Sequence, residues 1–558
     1  MKRTQAVTHW SLLALPLLFL SLFYFYPLVK IIITSFFYTG TLDFTRLGVL
    51  FKSATYLKVI WFTCWQALLS TLITLAIALP GAWVFATFRF RGKNLVLALL
   101  TIPFVLPTVV TAAALRAMLG SNGLVNEFSR TFLGLSQPLI TTDQSLFFLL
   151  LAHVFYNYSL VVRIVSSYWA GLGRNTAEAA QMLGASPWQV FKRITLPQLW
   201  PAIGSSSLLV FIFCFTSFGI VLILGGPGYA TIEVEIYRQT IQLFNLPMAA
   251  LLSLVQIIMN FFLMWLHARL SSRATTGFFD TPNPTNAQPA KTVAQKSLLT
   301  INVLLVIVLL GLPLISLLGR SLVGEDGFSL GYYTALFTHD HDSIFYVAPA
   351  RAIFNSLGFA GATMVIALLL GLLSSLFLAS KSNSNPSLWD ALLMLPLATS
   401  AVTLGFGYII SLNKPPLNLR DSLALIPLAH GLVAFPFVVR CILPSLRQLP
   451  QNLKEAAWML GASPIVCWRR IVLPLISRSI LVGAVFSFSI SMGEFGASTF
   501  VARPHTQTMP VAIFRFLSQP GPLNYGQAMA MSGILMLVTG AALLLINRGG
   551  SAQGGQSP

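Results

Sequence analysis

Side chains that could do chemistry are scarce in this chain. It has 15 acidic residues among 558, and Glu494 is the only one that falls inside a predicted apolar span. The four cysteines are spread out, without the spacing of a metal site or a disulfide framework, and fit as small apolar fillers. No carboxylate or cysteine cluster accompanies His153 or His430, so we expect both to be hydrogen-bonded packing positions rather than metal ligands.

The sequence contains no nucleotide-binding motif. Its one Gly-Lys pair, Gly92-Lys93, lacks the upstream glycine and the following hydroxyl of G-x-x-x-x-G-K-[ST]. We therefore predict no catalytic residues, no metal site and no cofactor, and we do not expect the chain to be an enzyme. Work driven by ATP would have to come from separate ATPase subunits.

The composition places these few polar groups in a lipid bilayer. Hydrophobic residues make up 56% of the chain and charged residues only 9%, against about 25% charged in soluble domains. Runs long enough to span a membrane, about 20 residues, predict an all-α polytopic protein of about twelve helices. They lie roughly at residues 11–37, 60–88, 97–119, 144–166, 201–224, 246–269, 298–319, 353–380, 388–411, 423–443, 479–501 and 526–547.

Positive charge sets the predicted orientation. The net charge of +19 comes from cations in short connectors between apolar runs, so it does not indicate nucleic acid. With the N-terminus inside, most of the excess Lys and Arg lies in the inner connectors, as in other membrane proteins. An even number of spans then puts both termini in the cytoplasm.

One polar stretch occurs twice. NTAEAAQMLGASPWQVFKRITLPQLWPAI, from Asn175, returns as NLKEAAWMLGASPIVCWRRIVLPLISRSI, from Asn452, at a constant separation of 277 residues. Each copy predicts a short helix, a left-handed glycine cap and a second short helix that starts at Ser-Pro and stops at Leu-Pro. We call each copy an elbow. Its exposed Met-Leu pair implies a protein partner; the alternative is an amphipathic segment lying at the lipid headgroups.

The repeat extends beyond the elbows. His153 and Phe218-Gly219 match His430 and Phe495-Gly496 at the same separation. Both halves start inside with six spans each, so they are predicted to be two parallel six-helix repeats. We expect a first transmembrane domain at 1–272, a cytoplasmic linker at 273–297, a second transmembrane domain at 298–548 and a disordered tail at 549–558.

The frame E-A-A-x-x-x-G-A-S-P…L-P resembles the EAA motif of permease subunits in bacterial ABC importers, and the two halves extend this resemblance over almost the whole chain. It implies the type I importer fold, a location in the bacterial inner membrane, and elbows that insert into grooves on the ATPases. The implied partners are two cytoplasmic ABC ATPase subunits and an extracytoplasmic substrate-binding protein. The residues that carry over to docking are Glu178, Ala179, Ala180, Gly184, Glu455, Ala456, Ala457 and Gly461.

The fused layout resembles the ferric iron and thiamine importers. The segment LILGGPGYATIEVEIYRQT, from Leu222, favours iron slightly, but nothing in the residues chooses between the two substrates. The competing hypothesis is an ion-coupled secondary transporter with twelve spans. Such carriers usually need several intramembrane carboxylates, and here the spans offer one. A membrane enzyme is a third alternative, without a His, Asp or Cys cluster to support it.

Glu494 and its counterpart Ser217 are the candidates for a pathway or gate, because intramembrane acids usually line a cavity. The alternative for Glu494 is a helix-end cap near the outer interface. Pro103, Pro107 and Pro396 would break helices at membrane depth, where broken helices usually line a water-filled space. We therefore expect the translocation path between the third and fifth spans of each half.

Overall fold

The structure is a computed structural model that describes residues 2–38, 40–141, 143–172, 175–226, 228–275, 288–324, 327–338, 348–380, 385–413, 415 and 417–551. It is 81% helical with almost no strands. Eleven helices are long and apolar enough to cross a membrane, and a bent pair brings the number to twelve. The predicted all-α fold with about twelve spans is confirmed.

The spans are numbered one to twelve in chain order. The first six are Trp10–Phe36, Ala54–Thr87, Thr108–Leu133, Leu146–Gly171, Pro187–Phe215 and Leu246–Ser271. The others are Val293–Leu322, Ala350–Ala379, the bent pair Pro386–Ala398 with Ala401–Ser411, Leu425–Gln448, Pro464–Gly493 and Pro522–Leu545. Shorter helices connect them, among them Thr45–Lys52, Lys93–Leu99, Ile102–Val105, Asn175–Met182, Ile232–Tyr237, Gln451–Met459, Gly496–Val501 and Met509–Leu517. One two-residue hairpin joins Val323–Gly324 to Gly327–Phe328.

Polar caps fix where several spans begin. The Ser145 hydroxyl accepts the Phe148 N–H at the start of the fourth span. At the start of the seventh span Thr292 and Gln295 form a reciprocal capping box, which satisfies two backbone N–H groups that have no partner within the helix. These local signals stop the apolar runs from extending into the connectors.

A break next to prolines lies immediately before the third span in the first half and inside the ninth span in the second half. In the first half, Ile102–Val105 is followed by Pro107 in extended conformation and then by a helix from Thr108. In the second half, the turn Leu395–Ala398 is followed by extended Ser400 and a helix from Ala401, with a bend of 88°. A proline cannot donate the backbone hydrogen bond that helix continuation needs, and Ser400 caps the next helix through the Val402 N–H.

Each half is built around three spans, and the leading span of each half packs on the other half. The second, fourth and fifth spans pack together, as do the eighth, tenth and eleventh. The first span lies against the eighth and ninth, whereas the seventh lies against the second and third. Buried Tyr24 of the first span hydrogen-bonds Thr399 of the ninth across 2.8 Å. The two halves are therefore interlocked.

The predicted linker and tail fall largely outside the described residues. Residues 276–287 and 552–558 are not among them. What is described shows the sixth-span helix running to Thr275 and the seventh starting at Val293. The domain boundaries remain predictions.

Polar ties join the two halves on the side of the spans opposite the loops that follow the fourth and tenth spans. Arg116 of the third span binds Asp143 at 2.8 Å and donates to the Leu517 carbonyl oxygen, which belongs to the second half. Arg320 of the seventh span reaches Glu127 at 2.6 Å. Partial burial acts to raise the pKa of Asp143, but the Ser121 N–H and the Arg116 guanidinium hold it below its ordinary value.

The tie through Asp143 should be sensitive to acid. A lowered pKa means that this carboxylate stabilises the fold above its ordinary pKa, and that the stabilisation is lost as pH falls through the lowered value. We expect the thermal midpoint of the purified protein to exceed that of Asp143→Asn at about pH 6, and the difference to narrow as pH falls below about 4. A gap between the two proteins that stays constant over this range would contradict the prediction.

Candidate functional site

The first elbow is a short helix closed by a left-handed glycine. Helix Asn175–Met182 ends where the Ala185 N–H donates to the Ala180 carbonyl and the Gly184 N–H to the Gln181 carbonyl. Gly184 has φ +87°, a conformation in which a side chain would be strained. The Ser186 hydroxyl then accepts the Gln189 N–H and starts helix Pro187–Val190.

The second elbow repeats the glycine closure and the serine cap of the first. In helix Gln451–Met459 the Ala462 N–H donates to the Ala457 carbonyl, and the Gly461 N–H donates to the Trp458 carbonyl. Gly461 has φ +81°, and the Ser463 hydroxyl accepts the Val466 N–H. The repeated sequence therefore folds into a repeated structure, because every bond that shapes an elbow is local.

One local expectation was wrong: the second short helix does not stop at Leu-Pro. In both halves it continues into the next span through a five-residue π-helical turn, Phe191–Thr195 and Trp468–Val472. The wider turn precedes the proline, which lies in the first turn of the following helix, where a missing N–H costs little. Each elbow is consequently continuous with the fifth span of its half.

The tip of each elbow is apolar and exposed. Met182 and Leu183 are each 89% exposed, and Met459 and Leu460 are each 88% exposed. Around these tips the eight predicted docking residues lie on the surface, except Ala180, which is half-buried, and Ala457, which is buried. A Cβ added at Gly184 or Gly461 would meet no atom within 4 Å. Two matching apolar tips that are almost fully exposed among the described residues form a surface suited to protein docking.

A cavity of about 330 Å³ lies between the two halves. It is found where the broken third spans were expected to leave space. Thr108 and Ser400 border it at the two breaks, and Phe213 and Ile490 border it from the fifth and eleventh spans. We call this space the central cavity.

Two phenylalanines from equivalent positions meet at the central cavity. The rings of Phe218 and Phe495 stack with centroids 5.4 Å apart and planes 25° apart. Gly219 allows this approach, because a Cβ there would lie 2.5 Å from the Thr108 hydroxyl and 3.1 Å from the Phe495 ring. This pair, which we call the phenylalanine plug, joins the two halves through an apolar contact.

Glu494 borders the central cavity, but its oxygens are already occupied. Oε1 accepts the Ala497 N–H at 2.8 Å, and Oε2 accepts the Ser498 N–H at 3.0 Å. The Ser498 hydroxyl also donates to Oε2, and His430 Nε2 lies 3.2 Å away. The geometry is that of a cap on helix Gly496–Val501, with a buried histidine beside it.

Ser217, the counterpart of Glu494, borders a separate cavity of about 270 Å³ together with His153. Both histidines are buried and hydrogen-bonded, His153 Nδ1 to Ser70 and His430 Nδ1 to Ser491. The described residues contain no group of three His, Cys, Asp or Glu side chains that could hold a metal ion. His153 Nε2 has no partner in the described structure, since a serine replaces the glutamate that serves His430.

Removing the Glu494 carboxylate should destabilise the protein. Glu494→Ala leaves the N–H groups of Ala497 and Ser498 and the His430 ring without their acceptor, and we expect a loss of about 3 kcal/mol. Glu494→Gln keeps one acceptor oxygen and should lose less than half of that. Thermal unfolding in detergent, followed by size-exclusion chromatography, measures both. Equal stability of the alanine variant and the wild type would exclude the capping role.

Two further acids that the sequence left outside the spans are buried. Glu233 and Glu235 of helix Ile232–Tyr237 are 1% and 2% exposed. Glu233 borders the central cavity, as does Asn260 of the sixth span. The spacing of Gln256 and Asn260, one helical turn apart in an apolar run, was the signal that could have indicated a polar face there.

The elbows, the duplicated spans and the central cavity are those of a transporter membrane subunit. Residues 78–276 match the family described as binding-protein-dependent transport system inner membrane component. The class predicted from the sequence, an ABC importer permease, is confirmed. The chain is thus a multi-pass inner membrane protein and a transport component rather than an enzyme, of a class that works with ATPase and substrate-binding partners.

Relatives of known function match along most of the chain. The thiamine transport system permease protein of Brucella abortus is 26% identical over 508 residues, 89% of each chain. That of Haemophilus influenzae is 27% identical over 502 residues, 88% of each. The Escherichia coli protein is 25% identical and covers 84% of this chain and 85% of its own. A bacterial ABC transporter that imports alginate aligns with 49% of this chain and 96% of its own, at 19% identity and a TM-score of 0.41.

Proposed function

We propose that this chain is the membrane subunit of a thiamine importer, driven by two cytoplasmic ABC ATPase subunits that each dock on one elbow. The assignment of thiamine as the substrate rests on the similarity to thiamine permeases over 84–89% of this chain. The assignment of the elbows as ATPase docking sites rests on their pair of similarly folded, exposed tips. Because both elbows belong to one chain, no second permease is needed.

The elbows transmit the motion. The chain lacks a P-loop sequence, so the ATPases bind and hydrolyse ATP, and with both termini in the cytoplasm the elbows face them. When the ATPases close, each elbow is displaced together with the fifth or eleventh span that continues it. That displacement moves the halves apart at their outer ends, and substrate then enters from an extracytoplasmic binding protein.

Individual elbow residues have distinct roles in this proposal. The alanines keep the helix thin enough to enter a groove, and Glu178 and Glu455 supply a charge that orients the docked helix. Gly184 and Gly461 turn the chain so that the Met-Leu tip projects. The central cavity then forms the pathway, and the phenylalanine plug closes it.

Reconstitution tests the proposal. The chain is purified with the ATPases and the binding protein and inserted into liposomes, and uptake of radiolabelled thiamine is measured with and without ATP. We expect accumulation that requires both ATP and the binding protein. If the liposomes took up ferric iron but not thiamine, ferric iron would be the substrate, as the fused layout also suggested. Accumulation driven by an ion gradient in the absence of ATPases would refute the coupling.

A further inference from the structure

Three carboxylates are buried in the described structure, and they differ in their partners. Glu494 is occupied by two backbone N–H groups, a hydroxyl and His430. Glu235 accepts from Gln239 Nε2 at 2.7 Å and has Arg238 at 3.7 Å. Among the described residues no ion pair involves Glu233, whose partners are uncharged: the Ser400 hydroxyl and Gln256, whose Nε2 donates to Oε1 across 3.3 Å. Glu233 is the buried acid without a positive charge beside it.

Burial of Glu233 without a counter-charge is energetically unfavourable, which suggests a functional role. Glu233 is 1% exposed, and burying a carboxylate without a counter-charge costs several kcal/mol. Acidic groups at membrane depth commonly serve ions or substrates. Since Glu233 borders the central cavity, a positive charge could reach it along the proposed pathway.

Asn260 provides a second, independent sign of a missing ligand. It lies on the sixth-span helix and is 3% exposed, and its Oδ1 has no hydrogen-bond partner in the described structure. It borders the same cavity as Glu233. A buried acceptor without a donor costs about 1–3 kcal/mol. Two buried acceptors beside one cavity favour a ligand that brings N–H donors or positive charge.

The other side chains that line the central cavity, and its volume, indicate the shape and polarity of the rest of the ligand. Phe213, Phe218 and Phe495 present aromatic surface to the central cavity, and aromatic faces attract cations more strongly at sites shielded from water. A volume of about 330 Å³ lies in the range of small-molecule sites. An organic cation with a flat apolar body matches acid, amide and rings together, whereas an anion would meet the Glu233 carboxylate.

We propose that Glu233 and Asn260, with the neighbouring phenylalanine rings, form a subsite in the permease that binds an organic cation during its passage. This subsite deepens the thiamine importer proposed above and rests on it. Thiamine carries a permanently charged thiazolium ring and an aminopyrimidine that can donate to an amide oxygen. The permease would then contribute to selectivity along with the binding protein.

Direct binding to the permease–ATPase complex, without the binding protein, tests the subsite. Equilibrium dialysis with radiolabelled thiamine should give at least 10-fold weaker binding for Glu233→Gln, which keeps the shape and removes the charge. Glu233→Asp should stay within about 3-fold of the wild type, and Asn260→Leu should lose about 5-fold. Glu235→Gln, a buried acid two residues away with its own partners, is the matched control and should bind like the wild type.

A transport assay separates this subsite from the proposed function. In proteoliposomes Glu233→Gln should slow thiamine uptake about 10-fold, while ATPase stimulation by the loaded binding protein stays within 2-fold of the wild type. If Glu233→Gln and Asn260→Leu both bound thiamine in dialysis as tightly as the wild type, the subsite proposal would be refuted. The importer proposal would not be affected by that result. If the wild type imports no thiamine, the importer proposal fails, and dialysis with choline then decides the subsite: loss of choline binding in Glu233→Gln supports it, and unchanged binding refutes it.

Discussion

Replacing Leu183 and Leu460 by aspartate is expected to detach the ATPase subunits and abolish ATP-driven uptake. Each side chain is nearly 90% exposed at the tip of its elbow, so the substitution removes no internal packing. Central apolar anchors at interfaces commonly contribute 2 kcal/mol or more, which is roughly a 30-fold loss of affinity at each elbow. Placing a charge in an apolar groove adds to that loss.

Copurification with the ATPases over a range of their concentrations measures the effect, with thiamine uptake as the functional readout. Val293→Asp is the matched control, because Val293 is apolar and 81% exposed at the start of the seventh span, outside both elbows. The control should bind ATPase normally. If the double variant retained wild-type affinity, the tips would have no part in docking, and a lipid-headgroup role for the elbows would have to be considered again.

The single variants carry additional information. The Trp169, Trp188 and Phe191 rings stack beside the first elbow, with Phe191 centroids 6.2 and 5.7 Å from the two tryptophans. The second elbow has Leu446, Ile465 and Trp468 at the equivalent positions. The first elbow therefore has three aromatic rings where the second has one. We expect Leu183→Asp and Leu460→Asp each to weaken binding, and the double variant to lose more than either alone.

Opening the phenylalanine plug should make the membrane leak substrate. Phe218→Ala combined with Phe495→Ala removes both stacked rings from the contact between the halves. An apolar constriction excludes water and solutes because wetting it is unfavourable, so its loss should leave a continuous polar path beside the central cavity. We expect thiamine to leave preloaded proteoliposomes at least 10 times faster than with the wild type, without ATP.

A second stacked aromatic pair supplies the control for the plug. Phe128 and Phe132 stack at 4.7 Å, and both are more than half exposed on helix Leu124–Leu133. Their double alanine variant should not leak. Buried Phe→Ala changes typically cost 3–5 kcal/mol, so the plug variant is first checked for assembly with the ATPases. Slow efflux from a correctly assembled plug variant would exclude this pair as the barrier.

The elbows show how far the sequence alone could be followed. Their glycine cap, serine cap and alanine helix are formed by hydrogen bonds between residues at most five positions apart, so the repeated sequence determined the repeated shape. Pro197 shows the limit even at this scale. The π-helical turn before it connects the two helices without a break, and a sequence pattern does not reveal such a turn.

The third spans show a similar limit. The prolines correctly indicated broken helices, but they did not show that Ser400 takes the place of Pro107. Ser400 and Pro107 are 293 residues apart, and the flanking helices share that separation, whereas matching the Leu-Pro pairs by sequence suggests 289. A serine that caps the next helix and a proline that cannot continue the previous one give the same break by different chemistry.

By itself, the sequence determined the class of protein: the apolar runs indicate a bilayer, and the two repeated elbows, shaped by local bonds, predict a docking partner. Only the tertiary structure decided which polar groups meet. The first and seventh spans each pack against the other half. The Glu494 carboxylate accepts hydrogen bonds from a helix N-terminus and lies beside His430. Glu233 and Asn260 border one cavity. These outcomes depend on packing between residues far apart in the chain, and no periodicity or spacing encodes such contacts.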